Sequence, residues 1–341
     1  MQENRFQLIT LSAILLFLGY LTYLIFKPFF VPIGWAIVFA IVLYPVHTFL
    51  MRYVKVGSLS AVLIIILILA VTLGPLSYIS YQLAHELQNI SLEHATEEIV
   101  GVFNQPWIRP MVERILSVFS ITEAQFRASV TENVTGLGKV LLNLAGGRIG
   151  DIVTGAFNFV LMGFTLFFVL KDGPKFVAKI ADYMPFPADE KKQLAKQVKD
   201  IVVSTIYGGV VVALVQGLIG GTGFAVVGLH APVLWGLVMS ITSFIPLVGC
   251  ALVWVPATLY LFLKGLTTQA AILAAIGVFG ISSVDNFLRP IIIRGRVRMP
   301  LLLVFFSVFG GIQVFGLLGL VLGPLVVAVF VSVLGIFRAR G

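Results

Sequence analysis

The sequence predicts an all-α polytopic membrane protein. Of its 341 residues, 59% are hydrophobic and only 11% are charged, and the mean hydropathy is +1.05. Soluble domains carry about 25% charged residues, so a water-soluble fold could not bury this much apolar surface. The apolar residues fall into about eight hydrophobic segments, several of them long enough to cross a bilayer core about 30 Å thick. Lipid is therefore the predicted surroundings of most of the chain.

Three apolar runs open the chain, at residues 8–26, 29–50 and 59–81. The first has no small-x-small cleavage site after it and leads directly into the second, so it is predicted to be a span rather than a signal peptide. Pro45, near the end of the second run, predicts a kink. Residues 1–81 are therefore predicted to form an N-terminal transmembrane scaffold.

Residues 82–150 differ in composition from the runs before them. The apolar stretches shorten, charged residues recur, and apolar residues repeat at helical spacing, as at Met111, Ile115 and Phe119. This pattern predicts amphipathic helices outside the lipid core. The segment is either a packed extramembrane cap or a dedicated binding domain.

The remaining part, residues 151–341, is predicted to be the transmembrane transport region. A fourth span at 152–170 leads into a Lys-rich cytoplasmic connection at 171–200. Within that connection, Asp189-Glu190 after a proline predicts a helix start. The fifth span, 201–228, contains six glycines between Gly208 and Gly223, which predict close approach of its backbone to neighbouring helices.

Two later apolar stretches have lengths that do not fit one crossing. Residues 233–263 are too long for an ordinary span and carry Ile245-Pro246 near their middle. Residues 301–337 are longer still and are interrupted by glycines and by Gly323-Pro324. Both stretches are therefore predicted to be re-entrant or broken hairpins, with a single span at 268–284 between them.

The distribution of Lys and Arg predicts the topology, because basic loops favour the cytoplasmic side. With the N-terminus inside, the basic cluster Arg289–Arg298 also falls inside if residues 233–263 enter and leave on the outer side. The C-terminus then lies inside as well. A crossing plus a hairpin (201–263) is followed by another (268–337) of opposite direction. Such an inverted repeat is a transporter architecture, with the substrate site at the repeat interface.

Polar side chains inside the predicted spans are the candidates for a transport path, because such groups are expensive in lipid. Asp285 is the only carboxylate side chain after Asp200, and it lies four residues before Arg289, the spacing of a helical ion pair. It is either a proton or cation site or a structural partner of Arg289. The full candidate set for the substrate or ion pathway is Asn158, Gln216, Ser240, Thr242, Ser243, Pro246, Asp285, Asn286, Arg289 and Gln313.

Other members of this set also have two interpretations. Gln216 either makes an interhelical hydrogen bond or contacts substrate. The hydroxyls of Ser240, Thr242 and Ser243 either bond back to helix carbonyls or face the path. Pro246 frees backbone carbonyls within the membrane, which favours a water-filled cavity there.

Signatures of enzymes, cofactors and metals are absent from the sequence. There is no GxxxxGK[ST] phosphate-binding loop, and no Ser–His–Asp arrangement can be proposed from the spacing. The four histidines do not group with acids, and Cys250 is the sole cysteine, so no metal site or intrachain disulfide is expected. The net charge of +8 reflects basic residues beside apolar runs, not a nucleic-acid surface.

Several motifs occur in a characteristic order along the chain. They are Pro32-Ile-Gly-Trp-Ala36, Phe168-Val-Leu-Lys-Asp-Gly173, Tyr207-Gly-Gly with Gln216-Gly217, Ile245-Pro246-Leu-Val-Gly249, and Asp285-Asn-Phe-Leu-Arg-Pro290 with Gly310-Gly311 and Gly323-Pro324. Together they resemble the autoinducer-2 exporter (PerM-like permease) family, over nearly the whole chain and least over residues 82–150.

The resemblance implies a transporter that assembles as a homo-oligomer, a pentamer. Some relatives export autoinducer-2, and others are described as sodium/proton antiporters. The expected function is therefore secondary export of a small polar solute, autoinducer-2-like, across the bacterial inner membrane, with both termini cytoplasmic. The expected partners are the lipid bilayer, the solute, H⁺ or Na⁺, and further copies of the chain. A cation/proton antiporter and a non-transporting scaffold that binds a partner through its outer segment are the alternatives.

Overall fold

The protein is helical throughout the part of the chain that the structure, a computed structural model, describes. No strand occurs among the described residues, and five helical stretches among them are long and apolar enough to cross a membrane. The predicted all-α polytopic membrane fold is confirmed. The described part is the whole chain except residues 1, 90–100, 102–108, 120–121, 127, 130–131, 133–148, 246–247, 285–299 and 341.

The first three predicted spans form helices. They are α1 (Gln2–Phe26), α2 (Phe30–Val54) and α3 (Gly57–Asn89), and the turn Lys27–Phe29 joins the first two. Pro45 lies inside α2, which continues past it for two further turns. Most apolar side chains on these helices are exposed, as lipid-facing side chains of a membrane protein are.

One amphipathic helix of the predicted extramembrane segment is described, α4 (Arg109–Phe119). Nε of Arg109 donates a hydrogen bond to Glu113 Oε1 at 2.9 Å, one helical turn away. Beyond α4, Thr122 and Gln125 cap a short helix reciprocally: each backbone N–H donates to the other residue's side-chain oxygen. The helical periodicity predicted here is confirmed, and a position outside the membrane stays a prediction.

The fourth and fifth spans belong to longer helices than the sequence predicted. α5 is Ile149–Tyr183 and runs through Pro174, so the first half of the Lys-rich connection is a continuation of the span. α6 is Ala188–Val226 and begins where predicted, with Asp189 and Glu190 in its first turn. Acidic side chains stabilise that end because they oppose the positive end of the helix dipole. The connection is thus two helical extensions joined by a short bend.

The later apolar stretches are broken helices. Residues 233–263 divide into α7 (Pro232–Thr242) and α8 (Ala251–Leu263). The next span is α9 (Thr267–Ala275), which continues as a π-helical turn, Ile276–Ile281. Residues 301–337 divide into α10 (Leu301–Phe315) and α11 (Gly319–Arg340).

Glycines set the close packing of α10 against α11. The chain reverses at Gly316, whose φ of 61° lies in the left-handed region that favours glycine. Gly311 faces Gly319 and Gly323, and a Cβ on Gly311 would come within 2.8 Å of the Gly323 Cα. Since Ser307 also faces Gly323, the contacts run antiparallel and define a helical hairpin. Whether this hairpin enters the membrane from one side stays a prediction.

The chain divides into two compact units. The first unit contains residues 1–67, 153–203 and 296–341, and the second contains 68–152 and 204–295. Three of the four boundaries fall inside α3, α5 and α6, so these long helices contribute to both units. The predicted division into scaffold, extramembrane segment and transport region concerns position relative to the membrane and stays a prediction.

Polar tethers join distant segments within the first unit. Ser60 Oγ of α3 lies 2.9 Å from His47 Nδ1 of α2, and both residues are buried. Gln197 of α6 is held by α11: its Nε2 donates to the Ala328 carbonyl at 3.4 Å, and its Oε1 accepts from Ser332 Oγ at 2.7 Å. These bonds fix which helices are neighbours in a unit whose surface is otherwise apolar.

Candidate functional site

The candidate site lies in the second unit, where α6 packs closely against α7. A Cβ on Gly217 would overlap the Ser240 hydroxyl and come within 2.7 Å of the Gly236 carbonyl oxygen. Gly221, one turn later on α6, faces Gly236 and Pro232, which come earlier on α7 than Ser240. The two helices are therefore antiparallel, and the close backbone approach predicted from the glycines of this span is confirmed.

The same stretch of α6 also packs against α9 and its π-helical turn. Gly223 faces Ile276, Ile219 faces Gly280, and Gln216 bonds to Ile281. The register runs antiparallel here too. The two crossings 201–228 and 268–284 thus run in opposite directions, as an inverted repeat requires.

The direction of α8 follows from its contact with α9. Only Lys264–Leu266 separates the two helices, and a Cβ on Gly277 of the π-helical turn would lie within 2.7 Å of the Trp254 ring. α8 is therefore antiparallel to α9 and runs in the same direction as α6. Since α7 runs opposite to α6, the chain turns back between α7 and α8. A helical hairpin thus occupies residues 233–263, and its re-entrance into the membrane from one side stays a prediction.

Gln216 is the polar centre of this helical group. Its side chain is 0% exposed, and its Nε2 donates to the Ile281 carbonyl at 3.1 Å. Its Oε1 accepts a weak hydrogen bond from Cys250 Sγ, 3.3 Å away. Cys250 also lies 3.4 Å from the Met239 carbonyl, which belongs to α7. One amide thus connects α6, the π-helical turn and the turn that leads into α8. We call Gln216, Cys250 and the Ile281 carbonyl the amide node.

The distance of the amide node from the end of α6 follows from helix geometry. Gln216 lies ten residues before the end of α6 at Val226, a rise of about 15 Å. This is about half the thickness of a bilayer core. α7 has 11 residues and carries the returning chain back by about 16 Å. The bend of the hairpin therefore reaches the same depth as Gln216.

The hydroxyl groups near the hairpin bend donate to carbonyls of their own helical segment. Ser240 Oγ donates to the Gly236 carbonyl at 3.1 Å, Thr242 Oγ1 to Met239 at 3.2 Å, and Ser243 Oγ to Ser240 at 2.7 Å. These are the local back-bonds that the sequence offered as one of two interpretations. Their part in a transport path stays a prediction.

Two other predicted pathway residues lie in the first unit. Asn158 is half-buried on α5 and Gln313 is exposed on α10, and both belong to the first unit. The structure therefore brings together Gln216, Ser240, Thr242 and Ser243 within the second unit. The remaining predicted pathway residues lie outside the described residues, namely Pro246, Asp285, Asn286 and Arg289.

Three features of this region were not predicted from the sequence. The first is Cys250, which is only 6% exposed and bonds to Gln216. The second is the π-helical turn, where Ser282 Oγ donates to the Gly277 carbonyl at 3.1 Å. The third is Gln269, whose Oε1 is buried without a hydrogen-bond partner. The sequence signals only the first, as a polar thiol within an apolar run.

In the described part of the chain, no three His, Cys, Asp or Glu side chains lie close enough together to hold a metal ion. The hairpin and the part of α6 that packs against it also lack charged side chains. From Ser204 to Leu263 the sequence contains no Asp, Glu, Lys or Arg. Between Ser204 and Leu263 the chain can therefore offer amide, thiol, hydroxyl and carbonyl groups to a ligand, but no Asp, Glu, Lys or Arg charge.

A family model described as "AI-2E family transporter" matches residues 11–339. Among relatives, an Aquifex aeolicus protein named "Putative transport protein" is 29% identical over 321 residues, covering 90% of each chain. A Helicobacter pylori (strain 26695) protein of the same name is 24% identical over 293 residues, or 82% of this chain and 81% of that one. "Putative transport protein YdiK" of Escherichia coli is 39% identical over 123 residues, 36% of this chain and 32% of its own.

Proposed function

The chain belongs to the AI-2E family of transporters, and on that premise we propose that it exports a small, uncharged, polar solute of the autoinducer-2 kind. It does so as a secondary transporter of the bacterial inner membrane, with both termini in the cytoplasm. The chain works as a homo-oligomer, a pentamer, as its resemblance to the family implied. It is a multi-pass membrane protein, so the solute path passes between helices rather than through a soluble domain.

The observation that carries the proposal is the amide node, a buried group of uncharged polar atoms at the contact of a broken hairpin with a crossing helix. Binding sites at half-depth, formed by discontinuous helices, are typical of secondary transporters. Hydroxyl groups of a solute can replace the partners of Gln216, since an amide both donates and accepts. A charged cargo would find no counter-charge in the stretch from Ser204 to Leu263. A neutral, hydroxyl-rich cargo therefore fits this chemistry best.

In this mechanism the amide node is the closed state of a gate. Gln216 holds the hairpin bend through Cys250 and holds the π-helical turn through the Ile281 carbonyl. Hydroxyl groups of the incoming solute form hydrogen bonds with Gln216 in place of these two. The hairpin bend is then free to move relative to α6. π-helical turns concentrate at functional sites because their looser bonding is easily rearranged. The exchange of hydrogen bonds keeps the cost of opening small, because no polar group is left unsatisfied.

Flux through purified protein in proteoliposomes tests the proposal. Efflux of labelled autoinducer-2 and internal pH are recorded in parallel for the wild type, for Gln216→Leu and for Thr222→Val. Thr222 lies on α6 as well, but its hydroxyl bonds only to carbonyls of that helix and is exposed, so it is the matched control.

We expect solute efflux from the wild type and the control, with a strong loss in Gln216→Leu and no sodium-driven pH change. A sodium-driven pH change without solute flux would contradict the exporter and identify an antiporter. Absence of both fluxes, with folded protein, would favour the scaffold. Equal efflux from Gln216→Leu and wild type would remove the amide node from the path while leaving the cargo assignment intact.

A further inference from the structure

Helix α5 is longer than the bilayer is thick. Its 35 residues extend about 52 Å, whereas the bilayer core measures about 30 Å. The apolar run 152–170 accounts for the core, at about 28 Å. Residues 171–183 therefore continue beyond it while remaining helical. Their surroundings are the boundary between lipid and water, or the water itself.

This extension has an apolar face that is exposed. Phe176, Ile180 and Tyr183 follow one another at intervals of four and three residues, which places them on one side of the helix. Their exposed fractions are 62%, 42% and 80%. Val177 widens the same face and is 59% exposed. An exposed apolar face of this size is unfavourable in water, because each apolar side chain that stays in contact with water forgoes the free energy of burial.

The side of the extension next to this apolar face carries a stripe of lysines, with Asp172 and Asp182 on the same side. Lys171, Lys175 and Lys179 repeat every four residues, and all three are exposed. Lys175 Nζ lies 3.3 Å from Asp172 Oδ1, but that pair is exposed, so it contributes little and leaves the ammonium group able to meet an anion. Amphipathic helices with lysines on the polar face and aromatic or aliphatic residues on the other lie in the membrane interface.

We propose that residues 171–183 form a membrane-surface helix that binds anionic phospholipid. The lysine stripe meets the lipid phosphates, while Phe176, Ile180 and Tyr183 enter the boundary between headgroups and acyl chains. Pro174 makes the bend from the span into the surface plane accessible, because it has no N–H to donate to the carbonyl four residues earlier. The inference concerns the surface of α5 and is independent of the cargo.

Two arguments favour lipid over a protein partner as the occupant of this face. First, the segment continues directly from a membrane span, so it starts at headgroup level and is held against the bilayer. Second, the lysines flank the apolar face on the same helix, which matches the order of phosphate and acyl chain in a leaflet. Polybasic segments beside a span attract anionic lipid electrostatically.

Single-cysteine labelling tests the proposal on the two faces separately. In a Cys250→Ser background, Ile180→Cys reports on the apolar face and Ala178→Cys on the polar face of the same turn. Each carries an environment-sensitive fluorophore in liposomes of phosphatidylcholine with or without phosphatidylglycerol, and bromine-labelled lipid is the quencher. We expect at least about twofold stronger quenching at position 180, increased by phosphatidylglycerol.

Lysine variants distinguish lipid binding by this helix face from a general attraction of the positively charged protein to anionic lipid. Lys171→Gln, Lys175→Gln and Lys179→Gln together should remove the effect of phosphatidylglycerol. Lys191→Gln, Lys192→Gln and Lys196→Gln on α6 change the net charge equally and should retain it. Equal quenching at positions 178 and 180 would overturn the proposal. It would also be overturned if both sets of lysine variants lost the effect of phosphatidylglycerol equally. A label at 180 that is shielded from bromine but emits as in an apolar site would identify a protein partner and likewise overturn it.

Discussion

At the residue scale, Gln216 shows how one side chain can organise a membrane region. The sequence offered two interpretations of it, an interhelical hydrogen bond or a contact with substrate. Its partners are 34 and 65 residues away in the chain, at Cys250 and Ile281, so no local pattern could have identified them. What the sequence did reveal was the cost of an amide in an apolar span, which makes a partner or a function necessary.

Substitution of Gln216 by leucine should make Cys250 more reactive. A leucine side chain cannot accept a hydrogen bond from the Cys250 thiol and cannot donate one to the Ile281 carbonyl, so two hydrogen bonds are lost. Each is worth about 0.6 kcal/mol inside a membrane protein, so the hairpin bend should open about fivefold to tenfold more often. The rate of labelling of the sole cysteine by a small membrane-permeant maleimide measures this. Thr222→Val should leave the rate unchanged, and an equal rate in Gln216→Leu would show that the node does not hold the bend.

A second prediction concerns the buried pair between α2 and α3. Ser60→Ala removes the partner of His47 Nδ1 and leaves that nitrogen buried without a hydrogen bond. The free energy of unfolding should fall by about 1–3 kcal/mol. Thermal unfolding of the detergent-solubilised protein should show a lower Tm for Ser60→Ala than for Ser77→Ala. Ser77 lies on the same helix, is exposed and bonds only to its own helix. Equal Tm values would mean that the pair contributes no stability.

At the element scale, the helices themselves were predicted better than their ends. Hydropathy and length located the spans, and the glycines and Pro246 marked 233–263 and 301–337 as broken. The continuation of α5 through Pro174 was missed because charge and proline were taken to end the helix. A proline lacks only one hydrogen bond, and the helix resumes when the following turns are favourable. The π-helical turn has no sequence signal, since it depends on packing against α6.

The hairpin of α10 and α11 offers a comparison between two adjacent glycines. Gly311 faces the α11 backbone, whereas nothing lies within 4 Å of a Cβ on Gly310. Gly311→Ala should therefore force the two helices apart and reduce the free energy of unfolding by about 1–3 kcal/mol. Gly310→Ala should be neutral or slightly stabilising, because alanine favours the helix. Thermal unfolding in detergent measures both variants, and a larger loss for Gly310→Ala would contradict the packing described for this hairpin.

At the scale of the whole molecule, the alternating helix directions connect the fold to its topology. α6, α7, α8 and α9 alternate in direction, so α9 runs back toward the end from which α6 started, and its described part reaches the level of Gln216. The positive-inside rule predicts the same direction for α9 from Lys and Arg alone, and the side of the membrane that each end faces stays a prediction. The sequence could not supply the packing that makes the short helices α7 and α8 stable, since those contacts come from glycines and from the amide node.

The topology makes a prediction for the basic cluster after α9, which lies outside the described residues. If the segment from α6 to α9 crosses the membrane twice, Arg296 is on the same side as the lysines of α6. In a Cys250→Ser background, Arg296→Cys and Lys192→Cys should react with a membrane-impermeant maleimide only in inverted vesicles. Arg114→Cys, on α4, should react only in right-side-out cells. Labelling of Arg296→Cys from outside, with Lys192→Cys still protected, would mean that α7 and α8 form a complete crossing. The gate proposed at Gln216 would then need a path that does not depend on a re-entrant hairpin.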